Sequence, residues 1–128
     1  MTTFFADTNI FLRFLLGDVP FQYQLAKEYL QRAKKGHIKI VVCPIVVFEI
    51  FLALNEPYGF DKNKVTKALK TIVKMDYLEI EDRQNLIQAL RLYQQQNMDL
   101  TDCFLFVKAK NAAGEVLSFN KDFKRLED

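Results

Sequence analysis

Histidine occurs once in this chain, at His37, and cysteine only at Cys43 and Cys103. Two thiols far apart in sequence, with a single imidazole near neither, exclude a zinc-finger spacing and any nucleophile paired with a histidine base. Both thiols stand among apolar neighbours and read as small buried hydrophobes, while His37 reads as a surface or turn residue. Such sparse cysteine points to a reducing, intracellular compartment. Glycine occupies only four positions, none of which builds a phosphate cradle of the P-loop or dinucleotide type. Apolar runs stop short of the roughly 18 residues of a membrane span, and Met1-Thr2-Thr3 lacks the basic flank of a signal peptide. A cytoplasmic protein without a membrane partner is therefore expected. An excess of one charge is also missing. With 18 basic and 16 acidic side chains the net charge is +2, so any binding of nucleic acid must come from where the charges sit.

What the chain does have is apolar material in ordered blocks. Half of its 128 residues are hydrophobic and 27% are charged, the balance of one globular domain, expected to span residues 1–128 with its own core. Thr3-Phe4-Phe5-Ala6 reads as a buried strand, ending at Asp7-Thr8-Asn9 where a helix starts. Ile10, Phe11, Phe14 and Leu15 recur at helical spacing up to Gly17. A second helix is expected from about Phe21 to Lys35, with Leu25, Ala26, Tyr29, Leu30 and Ala33 inward, then a buried parallel strand through Ile38, Ile40, Val41 and Val42. Pro44 suits the first turn of a helix running to about Asn55, and Asp61 suits the cap of another running through Lys74. On the outer side of that helix Lys67, Lys70 and Lys74 recur, with Lys62 and Lys64 nearby; a solvated face is the ordinary reading and an RNA contact the alternative. Tyr77–Ile80 is a third strand, Asp82 caps a helix through Gln95, Asp99 to about Gly114 is helical, Glu115–Phe119 is a last strand, and Asn120 opens a final turn. The aromatic group Phe11, Phe14, Phe21 and Tyr23 is a candidate dimer face.

Strands alternating with helices make an α/β domain with a mostly parallel sheet, whose ligands gather beyond the carboxyl ends of its strands. Asp7 directly follows the first strand, and Asn120 and Asp122 the last. Glu49 interrupts the apolar run Val41–Leu54. Taken alone it admits three readings: the wet face of a half-buried helix, an ion pair, or a ligand to a metal. Asp7 and Asp102 likewise have capping roles open to them, and Asp122 a surface one. Gathered together, however, these carboxylates would repel one another unless a cation stood among them. All-oxygen ligation without histidine or cysteine suits Mg²⁺ or Mn²⁺, which activate water and neutralise charge on a phosphodiester.

Four segments carry a more specific signal: Phe5-Ala6-Asp7-Thr8-Asn9-Ile10, Pro44-Ile45-Val46-Val47-Phe48-Glu49, Asp99-Leu100-Thr101-Asp102-Cys103 and Leu117-Ser118-Phe119-Asn120-Lys121-Asp122-Phe123. In this order the chain resembles the PIN-domain family, and within it the VapC-like toxin ribonucleases of toxin–antitoxin pairs. The resemblance implies a three-layer domain with a mostly parallel sheet of four to five strands flanked by helices. It implies a Mg²⁺- or Mn²⁺-dependent endoribonuclease, usually a homodimer, that is neutralised by a cognate antitoxin. Carried over, Asp7, Glu49 and Asp102 match the three core acids that hold the metal. Asn120 stands where many relatives have Asp, and Asp122 is placed to complete the catalytic cluster. Thr8, Asn9, Ser118 and Asn120 match positions that support the acids and order water around them. Arg13 is the candidate phosphate contact.

RNA hydrolysis is thus the expected function. A non-catalytic module of the same fold that binds RNA or protein is one alternative, and a free-standing RNA-processing nuclease another. A phosphoryl-accepting receiver domain is a third class, which Ser118-Phe119-Asn120-Lys121 fits only loosely.

Overall fold

The computed structural model describes residues 1–127. The chain divides into two compact units, Met1–Asp82 and Arg83–Asp128.

The first unit holds a parallel sheet of three strands, β1 (Thr3–Phe5), β2 (Lys39–Val42) and β3 (Glu79–Ile80), in the order β1-β2-β3. Phe4 lies opposite Ile40 and Val42 opposite Ile80. The central strand is buried from Ile40 to Val42, as its continuous β-branched run predicts. β1 departs from expectation. It pairs with β2, and Phe5 is 69% exposed, so the strand is an edge and not a buried one.

Four helices accompany this sheet: α1 (Thr8–Leu16), α2 (Pro20–Lys34), α3 (Pro44–Asn55) and α4 (Lys62–Val73). α1 packs on α2 and α3, α3 on α4, and α2 on β2. α1 ends where Gly17 takes φ 61 and its amide reaches the Arg13 carbonyl at 3.0 Å, a left-handed cap that a residue with a Cβ adopts only at a cost. Pro20 and Pro44 each enter the first turn of a helix, where a missing N–H costs nothing. Asp61 caps α4 by accepting from the Lys64 amide at 2.9 Å.

The inward faces follow the helical period with some exceptions. In α2, Ala26, Leu30 and Ala33 are buried, whereas Leu25 is exposed and Tyr29 meets Phe4 edge to face with ring centroids 5.4 Å apart. Of the aromatic group considered as a dimer face, Phe11 belongs to the core, Phe14 stacks on Tyr23 at 6.1 Å, and Phe21 is exposed. Cys43 is half-buried at the start of α3, and Cys103 is wholly buried.

The second unit contains α5 (Arg83–Gln95), α6 (Leu100–Asn111) and α7 (Asp122–Glu127). α5 and α6 pack on each other, with Leu86, Ala89 and Leu90 of the first and Leu100, Cys103 and Val107 of the second buried. Asn111 fastens the pair by donating from Nδ2 to Asn85 Oδ1 at 2.6 Å and Gln88 Oε1 at 2.9 Å.

The strand expected at Glu115–Phe119 does not form among the described residues, so the sheet has three strands where four to five were expected. Leu117 and Phe119 stand fully exposed. The physical reason is local. The Asn120 amide bonds Ser118 Oγ at 2.9 Å and the Asp122 amide bonds Asn120 Oδ1 at 3.0 Å, so side chains take the backbone donors and turn the chain into α7.

Candidate active site

Asp7 stands two residues beyond β1 and is the N-cap of α1. With φ −92 and ψ 173 the residue is still extended, and its Oδ1 accepts from the Asn9 amide at 3.0 Å and the Ile10 amide at 3.4 Å. These bonds use one oxygen of the carboxylate. The capping role and a ligating role are therefore compatible, and the positive end of α1 favours the charge. Asn9 takes part through its main chain, and its side chain is exposed.

Glu49 comes to the same place from α3. The core face of that helix is Val46, Val47, Ile50, Phe51 and Leu54, which leaves Ile45, Glu49 and Leu52 one turn apart on the outward face. Glu49 is thus exposed, the wet-face position, and bears no burial penalty of the kind an apolar run implies. Thr8 Oγ1 donates to Glu49 Oε2 at 3.1 Å, tying α3 to the first turn of α1. A cleft of about 380 Å³ opens there, lined by Asp7, Thr8, Asn9, Val46, Glu49 and Leu52. Asp7 also lines two neighbouring clefts, one with Phe4, Phe5, Tyr29 and Ile40, the other with Asn9, Arg13, Gln22 and Leu25.

Arg13 is strongly tethered. Its Nη1 donates to both carboxylate oxygens of Asp18, at 3.0 and 2.8 Å, and its Nη2 to the Tyr58 hydroxyl at 2.9 Å. The side chain is only 17% exposed. The Tyr58 hydrogen bond, with the Asp18 charge adding to it, holds the guanidinium pKa above its ordinary value. Arg13 faces the cleft beside Asp7 as an anchored cation, with its Nη1 already serving a carboxylate.

The other two acids lie in the second unit. Asp102 is in the first turn of α6, three residues after the cap Asp99. Asp99 makes no side-chain capping bond, so the pair does not form the reciprocal box its spacing allows. Burial first, and then the like charges of Asp99 and Asp122, push the Asp102 carboxyl above the ordinary aspartate value. Asp122 opens α7, where Arg125 Nη1 lies 3.5 Å from its Oδ1. Ser118 holds the Asn120 amide and Asn120 holds the Asp122 amide, so these two side chains act on the backbone that presents Asp122.

The structure thus brings Asp7, Thr8 and Glu49 together in one unit, and Asp102 and Asp122 within electrostatic reach in the other. Among the described residues, no three or more His, Cys, Asp or Glu side chains are gathered as a metal-holding group. Asp99 acts on Asp102 through its charge, and its three-residue spacing from Asp102 is the signal for it in the sequence. Asp18 and Tyr58 were unreadable as partners of Arg13, since Tyr58 is 45 positions away.

The sequence model of the PIN domain matches residues 4–128. The chain belongs to the PIN domain family. A PIN domain is an α/β fold with a parallel sheet, as the first unit shows. A VapC ribonuclease of Aquifex aeolicus (strain VF5) is 27% identical over 121 residues, covering 94% of this chain and 89% of that relative. No solved structure gives a significant match. All four candidate acids of this PIN domain, and the polar residues that hold them, fall within the matched span.

Proposed function

We propose that the protein is a Mg²⁺- or Mn²⁺-dependent endoribonuclease, the toxin of a toxin–antitoxin pair. The observation that carries this reading is the cleft in which Asp7 and Glu49 stand side by side, with Thr8 bonded to Glu49, in a chain matched to the PIN domain along nearly its whole length. Its similarity to a VapC ribonuclease supports RNA as the substrate class.

The donor set fits a hard divalent cation. Asp7 and Glu49 offer oxygen only, and the first is held at a helix N-terminus by two amides that leave its second oxygen available. The Asp102 carboxyl is raised by burial first and then by the like charges of Asp99 and Asp122, and a cation would relieve the second of these. Asp7, Glu49 and Asp102 would hold the metal and Asp122 complete the cluster, within a single domain of residues 1–128. Bound there, a divalent ion lowers the pKa of a coordinated water and neutralises charge on the phosphodiester.

The chain's own residues do the positioning. The α1 amides fix Asp7, and the Thr8 hydroxyl fixes one oxygen of Glu49, which lines the cleft. Ser118 and Asn120 set the start of α7 and with it Asp122. Arg13, locked by Asp18 and Tyr58, offers its remaining N–H groups to a phosphate without a further ordering cost. Partners in this reading are RNA, a cognate antitoxin and a second copy of the chain in a homodimer, in the cytoplasm. The described helices include none long and apolar enough to cross a membrane.

Cleavage of a mixed RNA pool with Mg²⁺, with and without EDTA, tests the proposal. Asn caps a helix as well as Asp does, so Asp7→Asn keeps the α1 cap while removing the charge. Cleavage that is lost both in EDTA and in Asp7→Asn is the expected result. Equal degradation by wild type and variant would mark a contaminant and leave a non-catalytic RNA- or protein-binding module.

A further inference from the structure

Catalysis by clustered carboxylates raises an electrostatic problem for a polyanionic substrate. Asp7 and Glu49 repel phosphates, so the affinity for RNA must be built on a cationic surface elsewhere. In the first unit the charge of Arg13 is matched by Asp18, which leaves it a local contact for one phosphate, and Lys39 is engaged by Glu79 at 2.9 Å. α4 differs. From Lys62 to Lys74 the sequence holds five lysines and no acid. Val65, Leu69, Ile72 and Val73 take the buried face, and Lys64, Lys67, Thr71 and Lys74, at successive spacings of three, four and three, form one exposed stripe. No ion pair engages Lys64, Lys67 or Lys74 among the described residues, and like charges this close on one helix destabilise it.

Beside the stripe runs a groove of about 330 Å³ lined by Leu15, Leu16, Phe60, Lys64, Lys67 and Thr71. It shares no residue with the Asp7–Glu49 cleft. Lys64 Nζ sits 4.2 Å from the centroid of the Phe60 ring, which holds a cation and an aromatic face together at the groove wall. Lys67 and Lys74 are seven residues apart, about 10 Å along a helix at 1.5 Å per residue, so the cations are spread along α4 and not gathered at one point. An apolar floor with one aromatic ring and a line of cations along its lip is the chemistry that takes bases on one side and a sugar-phosphate chain on the other.

We propose that this groove and the α4 lysine stripe bind single-stranded RNA outside the acid cleft, as the surface that holds substrate while the carboxylates act on it. The inference rests on the ribonuclease reading. Its test is the affinity of the full chain for a fluorescein-labelled single-stranded RNA of mixed sequence, read by anisotropy in EDTA across a range of NaCl. For the triple variant Lys64→Ala, Lys67→Ala and Lys74→Ala the expected result is a loss of about tenfold or more in affinity. Its salt slope should be shallower by about 2, from roughly 0.7 per phosphate contact on a single strand. Lys→Arg at the same positions should restore both. Alanine favours helix, so an unchanged thermal melt is the check on folding. A folded triple variant with wild-type affinity and slope, from a wild type that cuts RNA, overturns this inference alone. A triple variant that keeps RNA affinity but loses capture of an acidic polypeptide overturns it in favour of a protein-docking face. A wild type that neither binds nor cuts RNA overturns both readings.

Discussion

At the scale of single residues, position and partner matter more than residue type. Glu49 is exposed on the outward face of α3, so its removal costs the fold little, and a surface change of this kind stays within about 0.5 kcal/mol. Glu49→Gln keeps an acceptor for Thr8 Oγ1 but removes the charge. We expect its RNA cleavage to fall about 100-fold or more with the thermal midpoint nearly unchanged. A variant that melts far lower while retaining activity would give Glu49 a structural role instead. Asp102 is the reverse case, since its raised pKa records burial and the nearness of Asp99 and Asp122. A carboxyl whose folded pKa lies above its unfolded value contributes stability that is present below the unfolded value and lost as pH rises through the folded one. Metal-free wild type should therefore lose ground to Asp102→Asn as pH climbs through and beyond the ordinary aspartate range. Melts of both proteins in EDTA across that range check it, and a pH-independent difference would show that neither burial nor the neighbouring charges raise the Asp102 pKa. Cys43 offers a comparable contrast. Although it stands at the N-terminus of α3, where a thiol pKa is usually lowered, its hydrogen bond to Glu81, with some burial, pushes the thiol up.

At the scale of elements, short-range hydrogen bonds decide what a stretch of sequence becomes. Glu115–Phe119 has the composition of a strand, but Ser118 and Asn120 spend their side chains on the backbone that follows and deliver Asp122 at the first position of α7. Asn120→Ala removes the acceptor for the Asp122 amide, at about 1 kcal/mol, the cost of a lost cap. Asn120→Asp preserves the acceptor and adds a negative charge. We therefore expect Asn120→Ala to lower both stability and cleavage, and Asn120→Asp to retain both, as measured by melts and RNA digestion side by side. Equal behaviour of the two variants would deny Asn120 its positioning role. α3 shows the same logic through packing: one face fills the core, and the residue between Ile45 and Leu52 on the other is left free for chemistry.

At the scale of the whole molecule, the acids are divided between the units Met1–Asp82 and Arg83–Asp128, while the PIN domain match runs across both. If the four carboxylates serve one cation, their removal cannot be additive, because residues that act as a unit lose most of their effect with the first deletion. Asp7→Asn, Asp102→Asn and the double variant should each lose nearly the same factor of cleavage rate. A double variant weaker by the product of the two single losses would mean that the acids act independently and would sink the single-site reading. The net charge of +2 falls within the same argument: with the total nearly balanced, α4 concentrates cations in one stripe while Asp7 and Glu49 line a separate cleft.

The sequence by itself determined most of the first unit. Helix periods, Pro44, Asp61 and Gly17 placed α1, α3 and α4 nearly residue by residue, because caps and apolar spacing are local signals that burial then reinforces. It also determined the candidate acids, since four short segments in order resemble one family and the family match covers them all. Tertiary structure alone decided that Glu49 is exposed, because an apolar run does not say which stripe of its helix the core will take. It decided that Thr8 bonds Glu49 and that Arg13 is locked between Asp18 and Tyr58, contacts reaching 41 and 45 residues along the chain. It decided that Glu115–Phe119 stays out of the three-stranded sheet, because a strand needs a partner while a turn needs only its own neighbours.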